Sequence, residues 1–184
     1  MILSKVNTVA KLFILAIICT CSVSCTHTSK DTNRRLAGMY KLYLVESQDS
    51  TGTWKESPWA KGGGSYILYD GLGHMAVQIT PKGYKDFHWL KEEDVLNEKI
   101  LKEKIDTMSL TELKAAAEEL SSNYVYMANY TIDDTAHIIT HQRITSTLPS
   151  VWGTAAKRRF SFNGDTLTLQ NPVANLRLVW IRQK

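Results

Sequence analysis

The sequence predicts a mainly β protein, an eight-stranded antiparallel barrel with two helices inserted between its third and fourth strands. Three observations predict it. Short stretches of alternating apolar and polar residues recur along the chain, separated by Asp-Gly, Asp-Asp and Asn-Gly turns. One interval switches to helical spacing. The chain has 184 residues, 43% hydrophobic and 22% charged, which suits one domain with its own core and excludes disordered, collagen-like and multi-span membrane classes. Short strands joined mostly by tight turns in a body of this length favour a closed barrel over a sandwich. A barrel of about eight strands can hold one small ligand.

In chain order, residues 1–24 read as a secretion leader. Its only charges are Lys5 and Lys11, its apolar heart runs from Leu12 to Ile18, and small residues follow. That run is far short of the ~18–20 apolar residues that span a bilayer. All three cysteines, Cys19, Cys21 and Cys25, lie in or beside the leader. The body therefore has no cysteine pair, so no disulfide framework and no thiolate zinc site. Ser22, Val23 and Ser24 before Cys25 resemble a bacterial lipoprotein processing box, with Ser22 where Leu is preferred. Lipidation of Cys25 would anchor the chain to the bacterial cell envelope, whereas cutting at the same bond without lipidation would release a secreted protein. Residues 25–35 are polar and aperiodic and read as a tether, leaving residues 36–184 as the domain. Losing Lys5 and Lys11 from 22 basic and 18 acidic residues leaves a net charge of about +2, too balanced for a nucleic-acid partner.

The first strand covers residues 38–47, with Tyr40, Leu42 and Leu44 on one face. A polar loop carrying Trp54 and Trp59 leads to three glycines, 62–64, and then a hairpin of 65–69 and 74–80. Residues 89–105 place Val95, Leu96, Ile100, Leu101 and Ile105 at helical spacing. Ser109 and Glu112 form a capping box that opens a second helix through about Ser122. Strands follow at 124–132, 136–145, 155–162, 166–170 and 176–182, with Asn163-Gly164 as one hairpin turn.

Four groups of residues carry a family resemblance. Gly38 and Tyr40 resemble an opening Gly-x-Trp strand, with Tyr40 in the Trp position. Gly64, Tyr69, Gly73 and Met75 resemble a signature hairpin, and Tyr126, Ala128 and Tyr130 a Tyr-x-Gly-x-Tyr strand with Ala128 for Gly. The stretch from His141 through Pro149, Trp152, Arg158 and Gly164 to Leu169, with a closing Trp180-x-Arg182, completes the set. In order and spacing these resemble the bacterial lipocalin-like domain family over residues 36–182, least so in the helical insert. The resemblance implies a barrel with a central apolar cavity, in a secreted lipoprotein member. It names a container and leaves the contents open.

Strand parity nominates the lining. Arg158 shares a face with Phe160 and Phe162, and a cation on an apolar face must find an acceptor. It could bind a ligand carboxylate or phosphate, or it could close the barrel end by bonding backbone carbonyls or stacking on Trp180. His141 could be a polar anchor, a lumenal acid or base, or a satisfied interior histidine. Tyr126 and Tyr130 share a face and serve either as packing or as ligand donors. With Tyr40 and Leu42 from the first strand, these residues are the candidate ligand-binding set. Trp54 and Trp59 could form a lid or simply anchor their loop. His137 and His141 lie four residues apart on a strand, ~13 Å, too far to share a zinc. No phosphate loop, hydrolase elbow or cofactor motif is present, and no catalytic residue is nominated.

The leading expectation is an envelope-anchored carrier of a small, largely apolar molecule. Two alternatives stand beside it: a cofactor-independent isomerase or cyclase using His141, and a module whose helical insert docks an unknown protein partner.

Overall fold

The computed structural model describes residues 25–60, 62–84 and 89–184. The leader expected at 1–24 lies outside the described residues. A helix, α1 (Cys25–Leu36), precedes nine strands: β1 (Gly38–Gln48), β2 (Trp54–Glu56), β3 (Tyr66–Tyr69), β4 (His74–Ile79), β5 (Tyr124–Asp133), β6 (Ile138–Ser146), β7 (Ala155–Asn163), β8 (Thr166–Gln170) and β9 (Leu176–Arg182). Three helices, α2 (Glu92–Val95), α3 (Glu98–Asp106) and α4 (Leu110–Ser122), stand between β4 and β5.

Strand order is β1-β3-β4-β5-β6-β7-β8-β9, and β9 pairs back onto β1, so eight antiparallel strands close into a barrel. The three-residue β2 adds to the far end of β1 and takes no part in closure. It corrects the expected position of the helices. They follow the fourth strand in the chain, because Trp54–Glu56 is too short to show any alternation in sequence.

The two predicted helices are three. Asn97 ends the expected continuity by turning its side chain to accept from the Ile100 amide at 3.2 Å, which starts α3 afresh. The capping box of α4 forms as its sequence requires, with the Ser109 amide donating to the Glu112 carboxylate at 2.8 Å. These helices bury little, only Asp94 and Ala116.

Alternation places Ile67, Tyr69, Met75, Val77, Tyr126, Ala128, Ile139, Leu167, Leu169 and Trp180 in the barrel interior. One parity expectation fails. Leu42 faces Trp180 across the β1–β9 ladder, but Leu44 faces Val179, so Tyr43 is an extra, bulged residue. A bulge shifts parity by one. Tyr43 is therefore exposed, and Val45, not Leu44, is the next fully buried side chain.

The expected tether is also different. Residues 25–36 are helical, and Leu36 is completely buried as part of the core. The Tyr40 hydroxyl donates back to the Leu36 carbonyl at 3.0 Å, fastening the helix end beneath β1. This end of the barrel also carries the hairpin turns at 70–73, 133–137 and 163–165. It is the closed end; the other is the mouth.

Candidate functional site

A cavity of about 420 Å³ opens at the mouth. Its walls are Ile67, Val77, Ile79, Leu169, Leu178 and Trp180, with Trp59, Leu148 and Leu176 around the rim. Strand alternation puts the wall residues inward, and the C-terminal Ser121 and Ser122 of α4 complete the rim. Among polar residues it takes Tyr124, Tyr126, His141 and Arg158, with no Asp or Glu among the described residues that line it. A mostly apolar concavity with a few convergent polar groups is the usual form of a small-molecule site.

The polar centre is a three-residue relay. Fully buried His141 bonds Tyr69 Oη through Nε2 and Tyr126 Oη through Nδ1, both at 2.9 Å. Burial, reinforced by the positive charges of Arg158 and Arg143, holds the imidazole pKa down to about 3. Burial likewise pushes Tyr126 up to about 12 and Tyr69 well above its ordinary value. At neutral pH all three groups are uncharged. Arg143 steadies the outer side of the relay, donating to Tyr124 Oη at 3.1 Å and lying over the Tyr126 ring at 5.9 Å.

Arg158 donates through Nη1 to its neighbouring Lys157 carbonyl at 2.8 Å. No carboxylate pairs with it among the described residues. The role of sealing the barrel end, one of the two expectations for Arg158, falls to Arg182. Arg182 donates to the carbonyls of Ala37 and Arg35 and to Tyr40 Oη, and its guanidinium lies 4.6 Å from the Tyr40 ring centroid. Gly38 holds a φ of +137°, which L side chains rarely adopt, and a Cβ there would also meet that guanidinium.

Of the expected lining set, the cavity brings together Tyr126, His141, Arg158 and Trp180. Tyr40 is at the closed end, engaged with α1 and Arg182. Tyr130 packs edge-to-face on Tyr69 at 5.2 Å, and half-buried Leu42 packs against the core outside the cavity lining. Phe160 instead lines a larger depression of about 640 Å³ beside α1, with Arg35, Arg159 and Asp134. His137 sits in the β5–β6 turn with a left-handed backbone and meets Phe160 edge-on at 5.8 Å, away from His141. The two loop tryptophans divide their roles: Trp54 lies under the Arg177 guanidinium at 4.3 Å, while Trp59 reaches the mouth.

Sequence reasoning missed Tyr69, the second anchor of His141. The signal was present, since Tyr69 shares inward parity with Ile67 and closes the β3 strand. It also missed Val77 and Ile79, whose alternation in β4 is plain.

A family model described as a lipocalin-like domain matches residues 37–180. No curated protein matches the chain. Among solved structures, the chain is similar to a lipocalin-like protein from Bacteroides uniformis, at 11% identity and a TM-score of 0.41, covering 80% of this chain and 98% of that one. It is also similar to an uncharacterized protein from Bacteroides eggerthii, at 7% identity and a TM-score of 0.42, covering 80% and 99%.

Proposed function

The chain belongs to the lipocalin-like domain family, and from that premise we propose that it is an envelope-anchored carrier whose barrel takes up a small, largely apolar molecule. The observation that carries the reading is the mouth cavity, about 420 Å³ of mainly aliphatic and aromatic wall inside a closed barrel. Affinity would come from burying apolar ligand surface, at roughly 25 cal/mol per Å². Tyr126, Arg158 and Trp180 would orient the molecule. Both ring nitrogens of His141 are engaged by tyrosines, which favours a structural polar centre over a proton-transferring one. Anchoring would come through a lipidated Cys25.

Native mass spectrometry of the purified protein, beside a denatured sample, tests the carrier reading. Extra mass that leaves on denaturation is the expected result, and its identity gives the ligand class. A bare mass that persists after incubation with envelope lipid extract would overturn it. Cys25→Ser tests the anchor separately, with the expectation that the protein moves from the membrane pellet to the soluble fraction.

A further inference from the structure

The polar groups of the mouth cavity are unbalanced, and the imbalance names a ligand chemistry. At the rim the serines have spent their protons: Ser121 and Ser122 donate to the Glu118 and Glu119 carbonyls of their own helix, while Tyr124 Oη receives Arg143 and keeps its own proton. Among the more deeply buried groups, what is left open is a set of donors. Arg158 has spent one N–H on a backbone carbonyl and faces no carboxylate among the described residues. The buried indole N–H of Trp180 has no hydrogen-bond partner among them either.

The relay supplies a third donor by proton counting. Neutral His141 has one N–H. With that proton on Nδ1, it donates to Tyr126 Oη, the Tyr69 hydroxyl donates to Nε2, and the Tyr126 proton is left over. Tyr126 lines the cavity, so its proton can be met there. The opposite tautomer spends the Tyr126 proton on Nδ1 and strands the hydroxyl proton of Tyr69, which is buried away from the cavity lining. A stranded buried donor is costly, so the first arrangement is preferred once an acceptor enters.

We propose that the cavity selects an amphiphile with an oxyanion head, a carboxylate or phosphate on an apolar body, its head received by Arg158, Tyr126 and Trp180. The inference rests on the carrier reading above. A guanidinium matches such a head bidentately, and with no acid among the described lining residues nothing there repels it. The same donors disfavour a cationic head, which would meet the Arg158 charge.

The test is a calorimetric series on the purified full chain with dodecanoate, dodecyl phosphate, dodecanol and dodecylamine. At least one of the two anions should bind roughly tenfold or more tighter than dodecanol, and dodecylamine should bind weakest. The tighter of the two anions identifies the head. Arg158→Gln should erase the preference for the anion over dodecanol. Equal affinity for anion and alcohol in the unaltered protein, or a preference that survives Arg158→Gln, overturns the inference. The ligand series needs no variant, so it decides even if Arg158→Gln fails to fold. If dodecanol binds without any anion preference, only the head-group inference falls; if none of the four binds, the carrier reading falls with it.

Discussion

The two ends of the barrel are built from the same residue types and use them oppositely. At the closed end, Arg182 and Tyr40 satisfy each other and the carbonyls of Arg35, Leu36 and Ala37. At the mouth, among the described residues, Arg158 meets one neighbouring carbonyl and the Trp180 indole N–H meets none. An arginine whose donors end on the protein's own backbone is a fastening. One that faces apolar walls, with no counter-charge among the described residues, has donors left over. The contrast teaches that the residue type does not decide the role; the acceptors within reach do.

The strongest way to probe the comparison is pH, through the relay between the two ends. His141 titrates at about 3 when folded against an ordinary 6.5. Below pH 6.5 the unfolded chain binds a proton that the folded protein refuses, so stability falls as pH drops towards 3. The slope approaches about 1.4 kcal/mol per pH unit and the total is of order 5 kcal/mol. Urea unfolding between pH 7 and 4.5 should show this slope, and His141→Phe should flatten it. An unchanged slope in the variant would break the account.

Next in size is Arg182→Ala, which removes the guanidinium donor from the Ala37 carbonyl, leaves the Arg35 carbonyl with the Tyr40 hydroxyl, and loses the stacking on Tyr40. A loss of about 2–4 kcal/mol in urea unfolding is expected. Tyr40→Phe keeps the ring and removes only the hydroxyl, and should cost about 1 kcal/mol in the same measurement. The smallest effect belongs to the mouth. Arg158→Met should change stability by no more than about 0.5 kcal/mol in either direction, because no ion pair is broken. If it costs as much as Arg182→Ala, the two ends are not different in kind.

Much of this was legible in the sequence, and the failures have physical causes. Alternation correctly set Arg158, Phe160 and Phe162 on one inward face and Tyr126, Ala128 and Tyr130 on another. Periodicity gives the face of a strand but not the height along the barrel axis. Tyr40, Tyr130 and Phe160 were therefore grouped with Tyr126 and His141, although they lie nearer the closed end. For the same reason the sealing arginine could not be told from the mouth arginine: Arg158 and Arg182 are separated by register, which the ladder sets. The Tyr43 bulge was hidden because both Leu44 and Val45 are apolar, and either reads as a core residue. The helix at 25–36 was hidden because polar composition says nothing of its end, which is held by Leu36, a residue outside the polar run.

The pairing of β9 with β1 has a consequence for how the molecule is made. Arg182 reaches the Ala37 carbonyl across 145 residues of sequence, and its strand supplies the last ladder of the ring. Contacts this distant in sequence raise the contact order and slow folding, since loop-closure entropy is spent before they form. A chain emerging from its N-terminus can form the β3–β4 and β5–β6 hairpins as it appears, but β1 keeps a bare edge until the seven residues of β9 arrive. Truncation before Leu176 would leave bare edges on β1 and β8, each a template for pairing with another chain. Strand β9 is thus the step on which closure of the whole barrel waits.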